Sequence, residues 1–330
     1  MVITRTPFRV SFFGGGTDFP IFFNECGGAV LNTSIDKYCY ITARYLPPFF
    51  DHKYRVRYTQ REEANTIDEI DHPSVRACLH HVDLPYGVEI LHTSDIPAMS
   101  GIGSSSSFTV GLLNALYTLK GTDMTKSELC MEALHIEQTV LKENVGCQDQ
   151  TVAAHGGLNH IQFQKNQAPL VSPVSIPRHR RKELESHLML FFTGFSRVSS
   201  DIAKEQIKET PNKQAELISM RKMVSDSLDL LLSDRPIAQF GEMLHESWMI
   251  KKTLTCRISN PEIDAFYEKA RLTGAIGGKL CGAGAGGFLM IFAHPNYQPA
   301  IKNALSDLLY VPFAFEDKGS HIIFNQRNQL

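Results

Sequence analysis

Residues 97–107, PAMSGIGSSSS, run directly into residues 108–119, FTVGLLNALYTL. In the second stretch Phe108, Leu112, Ala115, Leu116 and Leu119 recur at helical spacing. Val110 and Leu113 make its other faces apolar too, so the pattern predicts a buried helix. The two glycines ahead of it allow close backbone approach. The serines supply hydroxyls and N–H groups at a helix N-terminus, where the positive end of the dipole favours an anion. The stretch therefore predicts a phosphate cradle opening a buried helix, set against a flexible Gly/Ser loop in which a serine is an ordinary N-cap.

Upstream, strands dominate. A strand-like segment at 2–13 breaks into Gly14, Gly15 and Gly16, and β-rich runs follow at 38–45, 54–59 and 88–93. The break delivers Thr17 and Asp18 together, a turn that can hold a carboxylate against sugar hydroxyls or simply close on an Asx hydrogen bond. Arg9 lies on the strand between Phe8 and Val10, so its charge needs a partner if that face is buried. An acid of the site or a phosphate would serve.

Downstream, Thr125 and Glu128 form a capping-box pair ahead of Cys130, Ala133, Leu134, Glu137 and Leu141 at spacings of three and four. Glu137 thus falls on an apolar stripe, where a carboxylate is costly unless it is paired or holds a cation such as Mg2+. The turn-rich GCQDQ at 146–150 presents Asp149, which alone reads as a cap or turn residue. A strand at 158–163 and a loop with Pro169, Pro173 and Pro177 place a domain boundary near 170–185, giving domains 1–178 and 179–330. Past it come a strand at 188–194, helical stretches near 200–233, 236–253 and 261–272, a strand at 286–293, a helix near 297–309 and short strands at 311–315 and 321–324. The order lacks a βαβα rhythm, so the fold class is α+β.

Composition removes whole classes of function. With 33 Lys plus Arg against 35 Asp plus Glu, the net charge of −2 predicts no general attraction to nucleic acid. RHRRK at 178–182 reads as a solvated face. No apolar run approaches the roughly 18 residues of a membrane span, and 1–10 lacks the apolar core of a secretory signal. Seven cysteines with no C-x-x-C pair read as reduced thiols. A cytoplasmic protein, with no membrane partner, is expected.

Several catalytic motifs fail. Gly282, Gly284 and Gly287 in KLCGAGAGGFLMIF at 279–292 formally fit G-x-G-x-x-G, but the run leads into the strand-like FLMIF rather than a helix, which excludes a dinucleotide fingerprint. Lys279 does not complete a Walker A motif. HESWM at 245–249 lacks the second histidine of a zinc site, and Ser196 in GFSRV is not a nucleophile elbow.

Three motifs in order, PFRVSFFGGGTD at 7–18, PAMSGIGSSSS at 97–107 and KLCGAGAGGF at 279–288, resemble those of the GHMP kinase superfamily, and they bracket nearly the whole chain. Within it, GGGTD, GGAVLNTSIDKY at 27–38, HESW and GGKLCGAGAGGF look like the D-glycero-D-manno-heptose 7-phosphate 1-kinases. Galactokinases carry Gly-Glu-His-x-Asp where this sequence has residues 14–18, which weighs against galactose. The resemblance implies a domain similar to ribosomal protein S5 domain 2 followed by a ferredoxin-like domain, with the site between them. It implies ATP and Mg2+ as cofactors and a small-molecule sugar phosphate as acceptor. The product would be heptose 1,7-bisphosphate, for nucleotide-activated heptose and polysaccharide assembly.

Carried residue by residue, the resemblance assigns Asp149 as the catalytic base and Arg9 as the basic residue beside it. Ser100, Gly101, Gly103, Ser104, Ser105, Ser106, Ser107 and Gly284 would bind ATP, and Ser105 with Glu137 would bind the metal. Asp18 would bind the sugar, with Gly15, Gly16 and Thr17 around it. For the acceptor's phosphate, Arg197 is the first candidate, with Lys251, Lys252 and Arg257 beside it. A free galactose- or fucose-like acceptor, or a non-catalytic sugar- or nucleotide-binding regulator, is the alternative. The chain would act as a monomer or homodimer.

Overall fold

The computed structural model describes residues 1–98, 100–194 and 199–326. Its strands are β1 (Val2–Phe13), β2 (Gly28–Tyr45), β3 (Tyr54–Arg57), β4 (Arg61–Ala64), β5 (Val88–Ser94), β6 (Leu158–Phe163), β7 (Leu170–Pro173), β8 (Leu188–Phe192), β9 (Ala275–Leu280), β10 (Phe288–Ala293), β11 (Leu309–Val311), β12 (Phe315–Glu316) and β13 (His321–Asn325). Its helices are α1 (Pro20–Cys26), α2 (Pro73–Val82), α3 (Ser104–Lys120), α4 (Lys126–Leu134), α5 (Gln148–His155), α6 (Arg178–Ser186), α7 (Ser199–Glu209), α8 (Gln214–Leu231), α9 (Ala238–Lys252), α10 (Pro261–Leu272) and α11 (Gln298–Ala304). No helix among the described residues is long and apolar enough to cross a membrane.

The described strands divide between two sheets. The first runs β13-β1-β2-β5-β3-β4, with β6 and β12 also paired to β2 and β7 to β6. β1 lies antiparallel to β2, with Arg9 opposite Ser34 and Ser11 opposite Asn32. The buried helix α3 covers β1 and β2, and Val110, Leu112, Leu113, Ala115 and Leu116 are all fully buried. The second sheet runs β11-β8-β10-β9 and is antiparallel throughout. Counted along the chain, that is the 4-1-3-2 order of the expected ferredoxin-like domain. Helix α9 packs on β9. It does so closely, since a Cβ on Gly277 would stand 1.9 Å from the carbonyl oxygen of Gly241.

The two sheets share an apolar seam. Phe12 and Phe13 of β1 set their rings edge-on to Phe240 of α9, with centroids 5.4 and 5.1 Å away, and Phe315 of β12 joins Phe12. The long periodic helices lie where the sequence predicts them, α10 to the residue, while α3 begins four residues before the expected Phe108 and takes the serine run into its first turn. Other elements differ. The stretch near 200–233 is two helices separated by a 3-10 turn at Thr210–Asn212, because Pro211 cannot continue α7. The helix near 297–309 ends at Ala304, and the expected strand at 311–315 is two strands, one in each sheet. RHRRK is not simply a solvated face: Arg180 is 6% exposed and donates to the carbonyl oxygens of Leu230 and Arg235.

Candidate active site

The break after β1, the N-terminus of α3, the start of α5, the end of α9 and the glycine arc after β9 meet around one cleft of about 930 Å3. Arg9 reaches it from β1. Its guanidinium grips Asp149 with two parallel bonds, Nε to Oδ1 and Nη2 to Oδ2, both 2.8 Å, while Nη1 donates to the carbonyl of Gly101 at 2.8 Å. Arg9 is 4% exposed, so the pair meets the need for a partner that the sequence posed. Asp149 itself is not in a loop. It sits in the first turn of α5 with its side chain 26% exposed, one face open to the cleft.

Asp18 is held from two sides. Its Oδ1 accepts from the N–H of Gly16 at 3.0 Å and its Oδ2 from the N–H of Gln148 at 3.3 Å. Burial, and then the neighbouring charge of Asp149, push its carboxyl above the usual carboxylate range. Gly15, Gly16 and Asp18 all line the cleft. Thr17 does not. Its hydroxyl donates to the carbonyls of Gly14 and Ala29, both at 2.8 Å, and accepts from the N–H of Ala29. It fastens the turn to β2 and is fully buried.

The serine run is sorted by the helix turn. Gly101, Gly103, Ser104 and Ser105 line the cleft. Gly103 caps α3 in a left-handed conformation, φ 76°. Ser107 faces inward and donates to the carbonyl of Pro7 at 2.9 Å. Ser106 donates to Glu137 Oε2 at 2.9 Å, so Ser106, rather than Ser105, is the serine in contact with that carboxylate. Ser100 is fully buried, with its hydroxyl unpaired among the described residues.

Glu137 is carried where α4 widens into a π-helical turn at His135–Val140, a device often found at functional sites. It is 1% exposed. Gln150 and Ser106 bond its Oε2, while its Oε1 has no hydrogen-bond partner among the described residues. Burial pushes the carboxyl up to about 7 against the opposing effect of Thr109, Gln150 and Ser106.

The third glycine-rich motif closes the cleft from the second sheet. Gly101 and Gly282 are in direct contact, since a Cβ on Gly282 would lie 2.6 Å from the Cα of Gly101. Gly282 lines the cleft, whereas Gly284, φ 135°, packs on the backbone of Ile258 behind it. Of the candidate cations for the acceptor's phosphate, Lys251 lines the cleft. Lys252 pairs with Asp264 at 3.2 Å and Arg257 with Glu205 at 3.6 Å. Arg197 lies outside the described residues.

Sequence reasoning missed two features of the cleft. Lys279, dismissed as half of a Walker motif, lines it from β9, and its Nζ donates to the carbonyl of Phe12 at 3.0 Å. An aromatic wall also lines it: His72 stacks on Phe108 with centroids 4.9 Å apart, and Tyr58 and His92 meet that pair edge-on. Burial lowers both histidines below their ordinary range. They come from the cap of α2 and from β5, and no local spacing links them.

Two family profiles match the chain: the GHMP kinases N terminal domain over residues 73–157 and the GHMP kinases C terminal domain over residues 228–311. The chain belongs to the GHMP kinase family. As a GHMP kinase it is a phosphotransferase with an alcohol group as acceptor and ATP as the donor. It is 29% identical over 313 residues, 92% of each chain, to the D-glycero-alpha-D-manno-heptose 7-phosphate kinase of Campylobacter jejuni. It is 25% identical to the L-fucokinase/L-fucose-1-P guanylyltransferase of Bacteroides fragilis, covering 96% of this chain and 38% of that one. Among solved structures, a D-glycero-D-manno-heptose 1-phosphate kinase from Bacteroides thetaiotaomicron superposes with a TM-score of 0.79 at 24% identity, covering 99% of this chain and all of the other. Lactococcus lactis galactokinase superposes with a TM-score of 0.75 at 18% identity, covering 97% and 94%. Both structural likenesses speak for the fold.

Proposed function

We propose that this GHMP kinase transfers the γ-phosphoryl group of ATP to the anomeric hydroxyl of D-glycero-D-manno-heptose 7-phosphate, giving heptose 1,7-bisphosphate and ADP. The observation that carries the reading is Asp149, gripped by Arg9 and open to the cleft between the serine helix and Asp18. Each carboxylate oxygen has lone pairs beyond those Arg9 uses. Asp149 accepts the proton of the anomeric hydroxyl as its oxygen bonds to the γ-phosphorus, and the bond from that phosphorus to the β-γ bridging oxygen breaks. Arg9 orients Asp149 and offsets the negative charge spread over the phosphoryl oxygens. Asp18, fixed by two backbone N–H groups, takes sugar hydroxyls.

The donors near α3 fit Mg2+. Glu137 offers a buried carboxylate oxygen without a partner, and Ser106 a hydroxyl on the same carboxylate. Both are hard oxygen ligands, and Mg2+ commonly takes one or two such groups, completing its shell with water and phosphate oxygens. When bound, the ion would neutralise the β- and γ-phosphate charge. In the same reading residues 1–178 supply the cradle and the base, and residues 179–330 close the cleft with Lys251, Lys279 and Gly282.

The heptose assignment is supported by the 29% identical relative from Campylobacter jejuni. A free sugar is the second reading, supported by the relative that carries an L-fucokinase. A coupled ADP-release assay with Mg·ATP decides between them, comparing heptose 7-phosphate with free heptose, mannose, galactose and fucose. Preference for the phosphorylated heptose is expected. Turnover confined to a free sugar would overturn the acceptor, and no turnover with any would overturn the sugar-kinase reading.

A further inference from the structure

Two lysines sit in the cleft wall with no carboxylate of the described residues paired to them. Lys251, in the last turn of α9, is 5% exposed, and Lys279 on β9 is 2% exposed. An ammonium carries three N–H donors. Lys251 gives one to the carbonyl of Gly282 and Lys279 one to the carbonyl of Phe12. No ion pair joins either to a described residue, so each keeps two donors unspent. Holding such charges out of water is costly unless something pairs with them. Burial draws Lys251 down to about 8 and, with the repulsion of Lys251 added, Lys279 down to about 7.

The polar atoms beside them are equally unspent. The hydroxyl of Ser11 and the amide oxygen of Gln148 are buried without partners among the described residues, and both residues line the cleft. Ser11 precedes Phe12, whose carbonyl holds Lys279, and Gln148 holds Asp18 through its N–H. Both lysines line the same cleft as Gly15, Gly16 and Asp18 and sense the charges of Arg9 and Asp18, Lys251 that of Asp149 as well. The nucleotide's phosphates have their own donors at the start of α3.

We propose that Lys251 and Lys279 form a subsite for a phosphate dianion carried by the acceptor itself, so that the enzyme selects a phosphorylated over a neutral acceptor. The four unspent N–H donors and the Ser11 hydroxyl match the three terminal oxygens of a phosphate ester, each able to accept more than one bond. The dianion neutralises both ammonium groups, and Asp18 is left for the sugar hydroxyls. This deepens the sugar-kinase reading and rests on it.

The test compares kcat/KM for heptose 7-phosphate and for free heptose in the wild type, Lys251→Met and Lys279→Met. Methionine keeps most of the stem and removes a buried charge, so both variants should fold, which a thermal melt checks. The expected result is that the ratio of phosphorylated to free acceptor falls by about tenfold or more in each variant, the scale of one lost charge-assisted hydrogen bond, while the KM for ATP moves less than about threefold. An unchanged ratio, or a loss shared equally by both acceptors or seen in the KM for ATP, would overturn the proposal and place the lysines on the transferred group. If neither acceptor turns over, the sugar-kinase reading fails and the subsite is read separately. Inorganic phosphate is then titrated calorimetrically into protein saturated with a non-hydrolysable ATP analogue. Binding weakened about tenfold by either substitution supports the subsite, and equal binding in all three proteins sinks it.

Discussion

Arg9 and Asp149 meet in a planar, two-bonded pair, and that geometry decides what each substitution does. Asp149→Asn keeps the shape and removes the proton acceptor. The turnover number should fall by about 10²- to 10⁴-fold, the usual worth of a positioned base, with ATP affinity retained. Equilibrium binding of a fluorescent ATP analogue beside the ADP-release assay reads both, and a variant as active as the wild type would remove the base role. At Arg9 a lysine keeps the charge but cannot make the two parallel bonds. Arg9→Lys should therefore lose turnover while leaving the melting temperature within a few degrees. Arg9, Asp18 and Glu137 were legible in the sequence because a charge among apolar or glycine neighbours is conspicuous, whereas Asp149, between two glutamines and alone a cap or turn residue, was singled out only by the family resemblance. Thr17 and Gly284 were placed in the site only because a glycine-rich motif does not tell which of its residues face outward. Lys279 was hidden for the opposite reason: which way a strand residue points depends on the sheet beside it.

Helix ends and glycine contacts set the cleft at the next scale. Gly101, φ 78°, touches Gly282 across the two halves of the site, and a Cβ on Gly282 would also stand 2.7 Å from the carbonyl oxygen of Gly101. Gly282→Ala must push the serine loop away. An ångström of displacement can cost about 100-fold in such a site, so the KM for ATP should rise by at least about tenfold, and steady-state kinetics at saturating acceptor reads it. A second element is pH-sensitive. His72 caps α2, its Nδ1 accepting from the N–H of Val75 at 3.4 Å, and burial lowers its pKa against the raising effect of Glu62. Below the ordinary histidine value, near 6.5, the unfolded chain binds a proton that the folded one resists, so this contribution to stability is present above that pH and is lost as pH falls. His72→Asn keeps a capping oxygen without titrating. Its stability relative to the wild type should therefore rise between pH 7 and pH 5 in paired denaturant melts, and a constant difference would contradict the assignment. The long helices α3, α8, α9 and α10 announced themselves by period. α2, α5 and α6 did not, being short, polar or opened by proline, and β9 was masked by its Gly277–Gly278 pair, which leaves no apolar alternation to read.

Across the whole molecule the chain crosses between its two sheets more than once, and the last crossing was invisible in the sequence. After β11 in the second sheet, β12 pairs with β2 and β13 pairs with β1, with Ile3 opposite Phe324 and Arg5 opposite His321. A partner some 300 residues away leaves no local signal, which is why a division at residue 178 follows the linear order and not the strand pairing. The returning segment is stitched in by Ser320. Its N–H donates to Ala153 of α5, and its hydroxyl accepts from Thr6 of β1 at 2.8 Å and Asn114 of α3 at 3.0 Å. Those three elements carry Arg9, the serine cradle and Asp149. Removing residues 313–330 would uncover one edge of β1, leave those polar groups unpaired and withdraw Phe315 from the seam formed by Phe12 and Phe240. An unpaired buried polar group alone costs about 1–3 kcal/mol, and burying a phenylalanine contributes on the order of 2 kcal/mol. The losses together approach the whole stability of an ordinary domain. The truncated chain should lose its cooperative melt in both halves, with limited proteolysis cutting the first sheet as readily as the second. A melt within about 3 °C of the full chain, on the scale of a 1 kcal/mol change in a domain of this size, would mean that β1 and β2 hold the site without the returning strands.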